Sequence, residues 1–214
     1  MAKNFGSIAF TSKVRAEQEK HGSFLQYLRM TEHGPDTNHL GAAEQEFIEA
    51  RDGFYLASVS ETGWPYVQFR GGPSGFLQVI DEQTIGFADF RGNRQYISVG
   101  NLKHDGRVAL FLMDYPNQTR LKILGRAEVV EGPGAAELIS RLQRPGYPAK
   151  IERAIRIGIE AFDWNCQQHI PQRYTVEQVE QALKPMRNRI AELERENQSL
   201  REESELRYPA SGSH

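Results

Sequence analysis

Hydrophobic residues change their spacing twice along this chain. Up to about residue 50 they recur at helical spacing in polar surroundings. Thr11 or Ser12 is placed to cap a helix through Val14 and Lys20, which His21 and Gly22 end. A second predicted helix, residues 23–30, carries Phe24, Leu25 and Leu28, and a third, residues 42–50, buries Phe47 and Ile48. Between them, residues 31–40 are rich in Gly, Pro, Asp and Asn and read as loop.

From Phe54 the spacing switches to two. Strands are predicted at residues 54–59, 65–70, 75–80, 84–89, 108–114 and 120–130, separated by turn signals such as Glu61-Thr62-Gly63, Gly71-Gly72-Pro73 and Asp105-Gly106. Residues 134–144 form an amphipathic helix presenting Leu138, Ile139 and Leu142. Ile155, Ile157 and Ile159 then alternate with Arg156, Gly158 and Glu160, which predicts a last strand to Asp163 or Trp164; a helix from Lys150 is the alternative. Short strands with one brief helix among them indicate an antiparallel barrel or sandwich, because a parallel sheet needs regular helical crossovers.

The third regime is a heptad. Thr175 and Gln178 make a capping-box start. Val176, Leu183, Ile190 and Asn197 fall at position a, and Val179, Met186, Leu193 and Leu200 at position d. Pro185 predicts a kink or a division into two helices. Such a stripe is expected to pair, between subunits or within one chain, and charges at the flanking positions suit a parallel pair. Residues 208–214 are expected to fray. The organisation is thus a helical segment 1–50, a β domain 51–174 and a helical tail 175–214.

Charge and composition narrow the function. The formal net charge is −2 with 25% charged residues. This gives no basic footprint for nucleic acid and no polybasic membrane patch. No apolar run approaches the roughly 20 residues of a membrane span, and the first residues lack the apolar core of a signal peptide. A single cysteine, Cys166, permits no intrachain disulfide, so a cytoplasmic location is expected. The six histidines and Cys166 make no metal spacing, and Cys166 with His169 is a poor nucleophilic pair.

One stretch stands out. Ile85 and Phe87 alternate with Gly86 and Ala88, so one strand face is bulky and the other nearly bare, open to a flat ligand. Asp89 follows. Gly92 then supplies a turn, Asn93 a helix cap, and Arg94 and Gln95 the first helical turn. Free N–H groups beside a guanidinium make a phosphate site, although an ordinary polar turn has the same residues. Upstream, Gln68 and Arg70 share a strand face before Gly71 and Gly72; downstream, Arg120 and Lys122 share another, where solvent-facing strand charge is the alternative.

The ordered set Gly63-Trp64-Pro65-Tyr66, Gln68-x-Arg70-Gly71-Gly72, Gly92-Asn93-Arg94-Gln95, Asn101-Leu102 through Arg107-Val108-Ala109-Leu110, and Gly125-Arg126-Ala127 resembles the pyridoxamine 5′-phosphate oxidase-like FMN-binding split barrels. The resemblance implies a mainly β fold, a six-stranded antiparallel split β-barrel with flanking helices, here followed by a coiled-coil-like helix. It implies a homodimer with one FMN in each of two clefts between subunits. The flavin phosphate would lie at Gly92, Asn93, Arg94 and Gln95, with Ala88 and Asp89 beside the ribityl chain and ring. Gln68 stands where the oxidases have a phosphate-contacting arginine, and Arg120 where they have a glutamine near the cofactor; Arg70, Gly71, Gly72 and Trp164 are further candidates for the site. Two departures matter. Gly71, Gly72 and Pro73 replace an apolar run ending in a phosphate-binding lysine, and residues 162–174 give no clean match to the arginine–histidine pair that grips pyridoxal phosphate. The expected activity is therefore an FMN-dependent oxidoreductase of unnamed substrate. The alternatives are a non-enzymatic carrier, sensor or store for flavin, deazaflavin or haem, and a coiled-coil assembly protein using the barrel as scaffold.

Overall fold

Alternating side chains become one seven-stranded antiparallel sheet. The computed structural model describes residues 4–164 and 168–207. Cys166, its pairing with His169, and the tail 208–214 lie outside the described residues. The strands are β1 (Gly53–Val59), β2 (Pro65–Gly71), β3 (Leu77–Asp81), β4 (Thr84–Phe90), β5 (Arg107–Asp114), β6 (Thr119–Val130) and β7 (Ile151–Trp164). Their order is β2-β1-β5-β6-β7-β4-β3. This is one strand more than the six of the implied barrel. The segment after Lys150 is strand and not helix: its alternating isoleucines are buried against the sheet's inner side.

The sheet curls until its ends meet. β2 is first in the order and β4 sixth, which in a flat sheet would separate them by about 24 Å. Instead Arg70 of β2 lies 2.6 Å from Asp89 of β4, and Phe54 of β1 packs 5.4 Å from Phe87 of β4. Among the described residues no hydrogen-bonded ladder joins β2 to β3, so the barrel is split there. The interior is apolar: Phe54, Leu56, Phe76, Phe87, Leu110, Leu112, Ile123 and Ile157 are all buried. β6 and β7 press close at Gly125, where a Cβ would stand 2.6 Å from the Gly158 carbonyl oxygen, so only glycine fits beside the bulge in that ladder.

Helices cover the barrel. α1 (Phe5–Ala9), α2 (Ser12–Lys20), α3 (Phe24–His33) and α4 (Ala42–Glu49) precede it. Thr11 caps α2 by accepting from Val14 N–H, and α4 buries Ile48. α5 (Ile97–His104) lies between β4 and β5. A 3₁₀ turn and α6 (Ala136–Leu142) lie between β6 and β7. α6 accounts for the bare face of β4. Ala88 packs with Leu142 and Ala154, and a Cβ at Gly86 would stand 2.8 Å from Ile80 Cδ1 and 3.4 Å from Leu142 Cδ1. Along Gly86 that face receives a helix of the same chain, not a ligand.

Met1–Pro171 form one compact unit and Gln172–His214 another. The second unit is α7 (Val176–Arg207), preceded by the expected capping box: Gln178 N–H donates to Thr175 Oγ1 at 3.2 Å, and Thr175 N–H to Gln178 Oε1 at 2.9 Å. Pro185 does not divide it. One helix of 32 residues runs through the proline. Among the described residues, no helix is long and apolar enough to cross a membrane.

Candidate functional site

At the end of the barrel, β2, β4, the loop after β4 and the start of α5 enclose a cleft of about 400 Å³. Its size suits a small-molecule site. The cleft exists because two strands put charge where their neighbours put apolar side chains. On β4, Asp89 continues the inward phase of Ile85 and Phe87. On β7, Arg153 continues that of Ile155 and Ile157. Both are buried, and buried charge must be paired.

The pairing forms a chain. Arg70 Nη1 donates to Asp89 Oδ1 at 2.6 Å, and Arg153 Nε lies 3.5 Å from Asp89 Oδ2. Arg153 also reaches Glu131 at 3.1 Å and Glu152 at 3.0 Å. Glu152 in turn accepts from Arg91 at 2.8 Å and from the Tyr96 hydroxyl at 3.3 Å. Burial pushes the Asp89 carboxyl above its ordinary pKa, against the pull of the Arg70 and Arg153 guanidiniums. Hydrogen bonding from Arg91 holds Glu152 below its ordinary value. Four guanidiniums (Arg70, Arg91, Arg94, Arg153) and the Lys103 ammonium, which shares Glu131 with Arg153, stand against three carboxylates (Asp89, Glu131, Glu152), so the cluster keeps an excess of positive charge.

Arg94 contributes to that excess. It donates to the Tyr96 hydroxyl at 3.3 Å and pairs with no carboxylate among the described residues. Its backbone is left-handed (φ 64°), as is that of Tyr96 (φ 54°). Two non-glycine residues in that conformation, two positions apart, cost about 1–3 kcal/mol each; such strain clusters at binding sites. The expected cap at Asn93 is not formed. Asn93 Oδ1 accepts from Gln95 N–H at 3.2 Å in a local turn, and the helix opens three residues later than expected, at Ile97. The left-handed Tyr96 stands at the cap with no side-chain hydrogen bond to the first turn. The uncapped start of α5 therefore opens into the cleft beside Arg94, where its N–H groups and dipole favour an anion.

The remaining walls are set by β2. Gln68 Oε1 accepts from Ser98 Oγ at 2.7 Å, tying the strand to the first turn of α5. Arg70 also holds a buried Nε with no hydrogen-bond partner among the described residues, beside the cleft that Arg70 lines. An orphaned guanidinium nitrogen, an uncapped helix start and an excess positive charge all fit a phosphate-bearing ligand.

The sequence profile described as pyridoxamine 5′-phosphate oxidase matches residues 40–163. The chain belongs to the pyridoxamine 5′-phosphate oxidase family. Among solved structures, a Lactobacillus delbrueckii protein provisionally named a pyridoxamine 5′-phosphate oxidase is 25% identical, with 60% of this chain and 96% of that chain covered at a TM-score of 0.45. HupZ of Group A Streptococcus is 16% identical, with 63% and 100% covered at 0.45. An FMN-binding protein of Syntrophomonas wolfei is 13% identical, with 69% and 97% covered at 0.44. No curated protein matches the chain.

The family match takes in the barrel strands, short only of the last residue of β7, and the whole charged loop. Of the residues expected at a family cofactor site, the cleft brings together Gln68, Arg70, Gly71, Ala88, Asp89, Gly92, Asn93, Arg94 and Gln95. It does not bring in Gly72, Arg120 or Trp164. The place above Gly72 is filled by the Phe76 ring, 2.6 Å from where a Cβ would stand. Arg120 lies over the Phe111 ring at 5.6 Å, and Trp164 Nε1 donates to Glu44 Oε1 at 2.8 Å. Lys122, on the same strand as Arg120, pairs with Asp163 at 2.8 Å. Sequence reasoning missed Arg91, Tyr96, Ser98, Glu152 and Arg153. Arg153 had a signal, a cation in phase with buried isoleucines; Arg91 and Tyr96 sit in an exposed turn, and Ser98 and Glu152 reach the site only through contacts between distant segments.

Proposed function

We propose that the cleft binds FMN, with its phosphate against the 91–96 loop and the start of α5, and that the protein is a flavin-dependent oxidoreductase. The observation that carries this reading is Arg94, a guanidinium without a carboxylate partner among the described residues, beside an uncapped helix start. Arg94 and the first-turn N–H groups would hold the phosphate. Gln68, fixed by Ser98, and Arg70, fixed by Asp89, would orient polar atoms toward the rest of the cofactor. Bound flavin would supply hydride or electron transfer at its ring. The family and its cofactor-site segments support this reading; residues 162–174 give no clean match to the arginine–histidine pair of pyridoxal phosphate recognition, which favours a different substrate.

The reading includes a homodimer in the cytoplasm. Val67 and Phe69 of β2 are 59% and 60% exposed on the outer face of the barrel, and Phe69 stands in one row of the sheet with Tyr55 and Phe111. An apolar row of this kind marks an interaction surface. Arg120 lies against that row, over Phe111, where it would reach a partner's cleft; Trp164 would do the same from the end of β7.

Titration of the purified protein with FMN, followed by flavin fluorescence, tests the proposal. Binding that is saturable, and weakened by Arg94→Ala, is the expected result; no binding overturns it. A second reading, a carrier that does not turn over, has its own support: Asp89 and Glu152 in the cleft are both tied to guanidiniums, which leaves neither carboxylate free to act as acid or base. Reduction of bound flavin by NADH or NADPH and reoxidation by an acceptor favours the enzyme; tight binding without turnover favours the carrier. The absorbance spectrum distinguishes FMN from deazaflavin or haem.

A further inference from the structure

The second unit exposes a full apolar seam. Val176, Val179, Leu183, Met186, Ile190, Leu193 and Leu200 are all exposed on α7, at 37–70% of their surface. Because the helix is uninterrupted, these residues stay in one register along a rod of about 48 Å. Pro185 falls at heptad position c, and Gln181, whose carbonyl loses its N–H partner, at f. Both face away from the seam, so the proline leaves it intact and the freed carbonyl is open to water. An apolar stripe of this length is stable only when covered.

We propose that α7 is covered by α7 of a second copy, in a parallel, in-register, two-stranded coiled coil. Three features select that occupant and that direction. In the second half of the seam, β-branched Ile190 at a with Met186, Leu193 and Leu200 at d, and a polar Asn197 at a, favour two strands, although Leu183 at a and Val179 at d do not add to this. In the parallel register, Arg189 at g faces the second copy's residue 194, a glutamate at e, and Glu196 faces residue 201, an arginine. In the antiparallel alignment of the same seam, Arg189 meets its own copy, Arg187 meets its own copy, and Glu180 meets residue 194, so every flanking charge pair is repulsive. Asn197 is the third feature. Parallel pairing sets it beside the second Asn197, where the amides hydrogen-bond; antiparallel pairing would bury it against Val179. Pairing of α7 is independent of what the cleft binds.

The test uses the full chain with Cys166→Ser as background. Asn197→Cys is expected to form a disulfide-linked dimer under mild oxidation at least roughly tenfold faster than Arg195→Cys, which places the thiol at the outward position f. Equal rates, or no crosslink at 197, overturn the proposal. So does preferential crosslinking in a mixture of Val179→Cys and Asn197→Cys chains, the antiparallel result. A second measurement checks the register. Arg189→Glu should slow crosslinking at residue 197 by roughly threefold, and adding Glu194→Arg should restore it. An unchanged rate, or no restoration, also overturns the parallel register.

Discussion

β1 and β2 are paired along their whole length, Gly53 opposite Gly71 and Val59 opposite Pro65, yet they are built in opposite senses. Inward, β1 places Phe54 and Leu56, both buried; β2 places Arg70 and Gln68 directly beside them. Outward, β1 exposes Tyr55 and β2 exposes Val67 and Phe69. A strand that serves only the core puts its apolar residues inside. β2 inverts that pattern because its inner side is the wall of a cleft and, in the dimer proposed above, its outer side is an interface. The difference teaches that β1 is read by stability and β2 by binding, and substitutions on the two strands should separate accordingly.

The largest effect belongs to β1. Phe54→Ala removes a ring packed on both Phe76 and Phe87 and should cost about 3–5 kcal/mol in urea unfolding, with flavin affinity of the folded fraction little changed. A loss under about 1 kcal/mol would show that β1 is not the core strand this comparison makes it.

Next is the ion pair that lets β2 turn a charge inward. Asp89→Ala leaves Arg70 and Arg153 without their buried carboxylate and should cost about 3 kcal/mol. Asp89→Asn keeps an oxygen for Arg70 and should cost less. It should also remove a pH dependence. The folded-state pKa of Asp89 is raised, so the folded protein holds this proton to higher pH than the unfolded chain does. The contribution to stability is then full below the ordinary aspartate pKa and falls as pH rises through the raised value. Urea midpoints of the native protein should decline across that window, and those of Asp89→Asn should decline less. Equal slopes would place the titration elsewhere.

Arg94→Ala tests the binding side. It should leave unfolding stability within about 0.5 kcal/mol, since the side chain is exposed, while weakening FMN binding by about 1.5–3 kcal/mol. Unchanged affinity would remove Arg94 from the phosphate site.

Much of this could be seen in the sequence, and the misses have a common cause. Period-two runs located the barrel strands, because burial on one face imposes alternation, and the last strand was visible in Ile155, Ile157 and Ile159. The cleft segments around Gln68 and Gly92 were likewise visible. What alternation does not show is which element covers a bare face: Gly86 and Ala88 invited a flat ligand, and α6 took most of that face instead. Local propensity also misplaced the start of α5. Asn93 is a good cap by residue type, but its side chain closes a turn on Gln95, and the left-handed Arg94 and Tyr96 delay the helix to Ile97. Arg153 and Glu152 entered the site only through pairing of β7 with β4, a contact between distant segments. Pro185 was a helix breaker by type and is harmless by position.

The smallest expected effect is the most direct probe of how β2 is held. Ser98 Oγ donates to Gln68 Oε1 from the buried first turn of α5, so a single hydrogen bond fixes both the inward side chain of β2 and the helix start. Ser98→Ala removes the donor and should cost about 0.5–1.5 kcal/mol of stability. Its effect on FMN should be smaller than that of Arg94→Ala, because the guanidinium and the helix N–H groups remain. Ser98→Thr, which keeps the hydroxyl, should recover much of the loss if the buried site tolerates one more methyl. An FMN affinity lost as fully in Ser98→Ala as in Arg94→Ala would shift the decisive contact from the loop to Gln68, and β2, with its inverted face, would become the main wall of the site rather than its support.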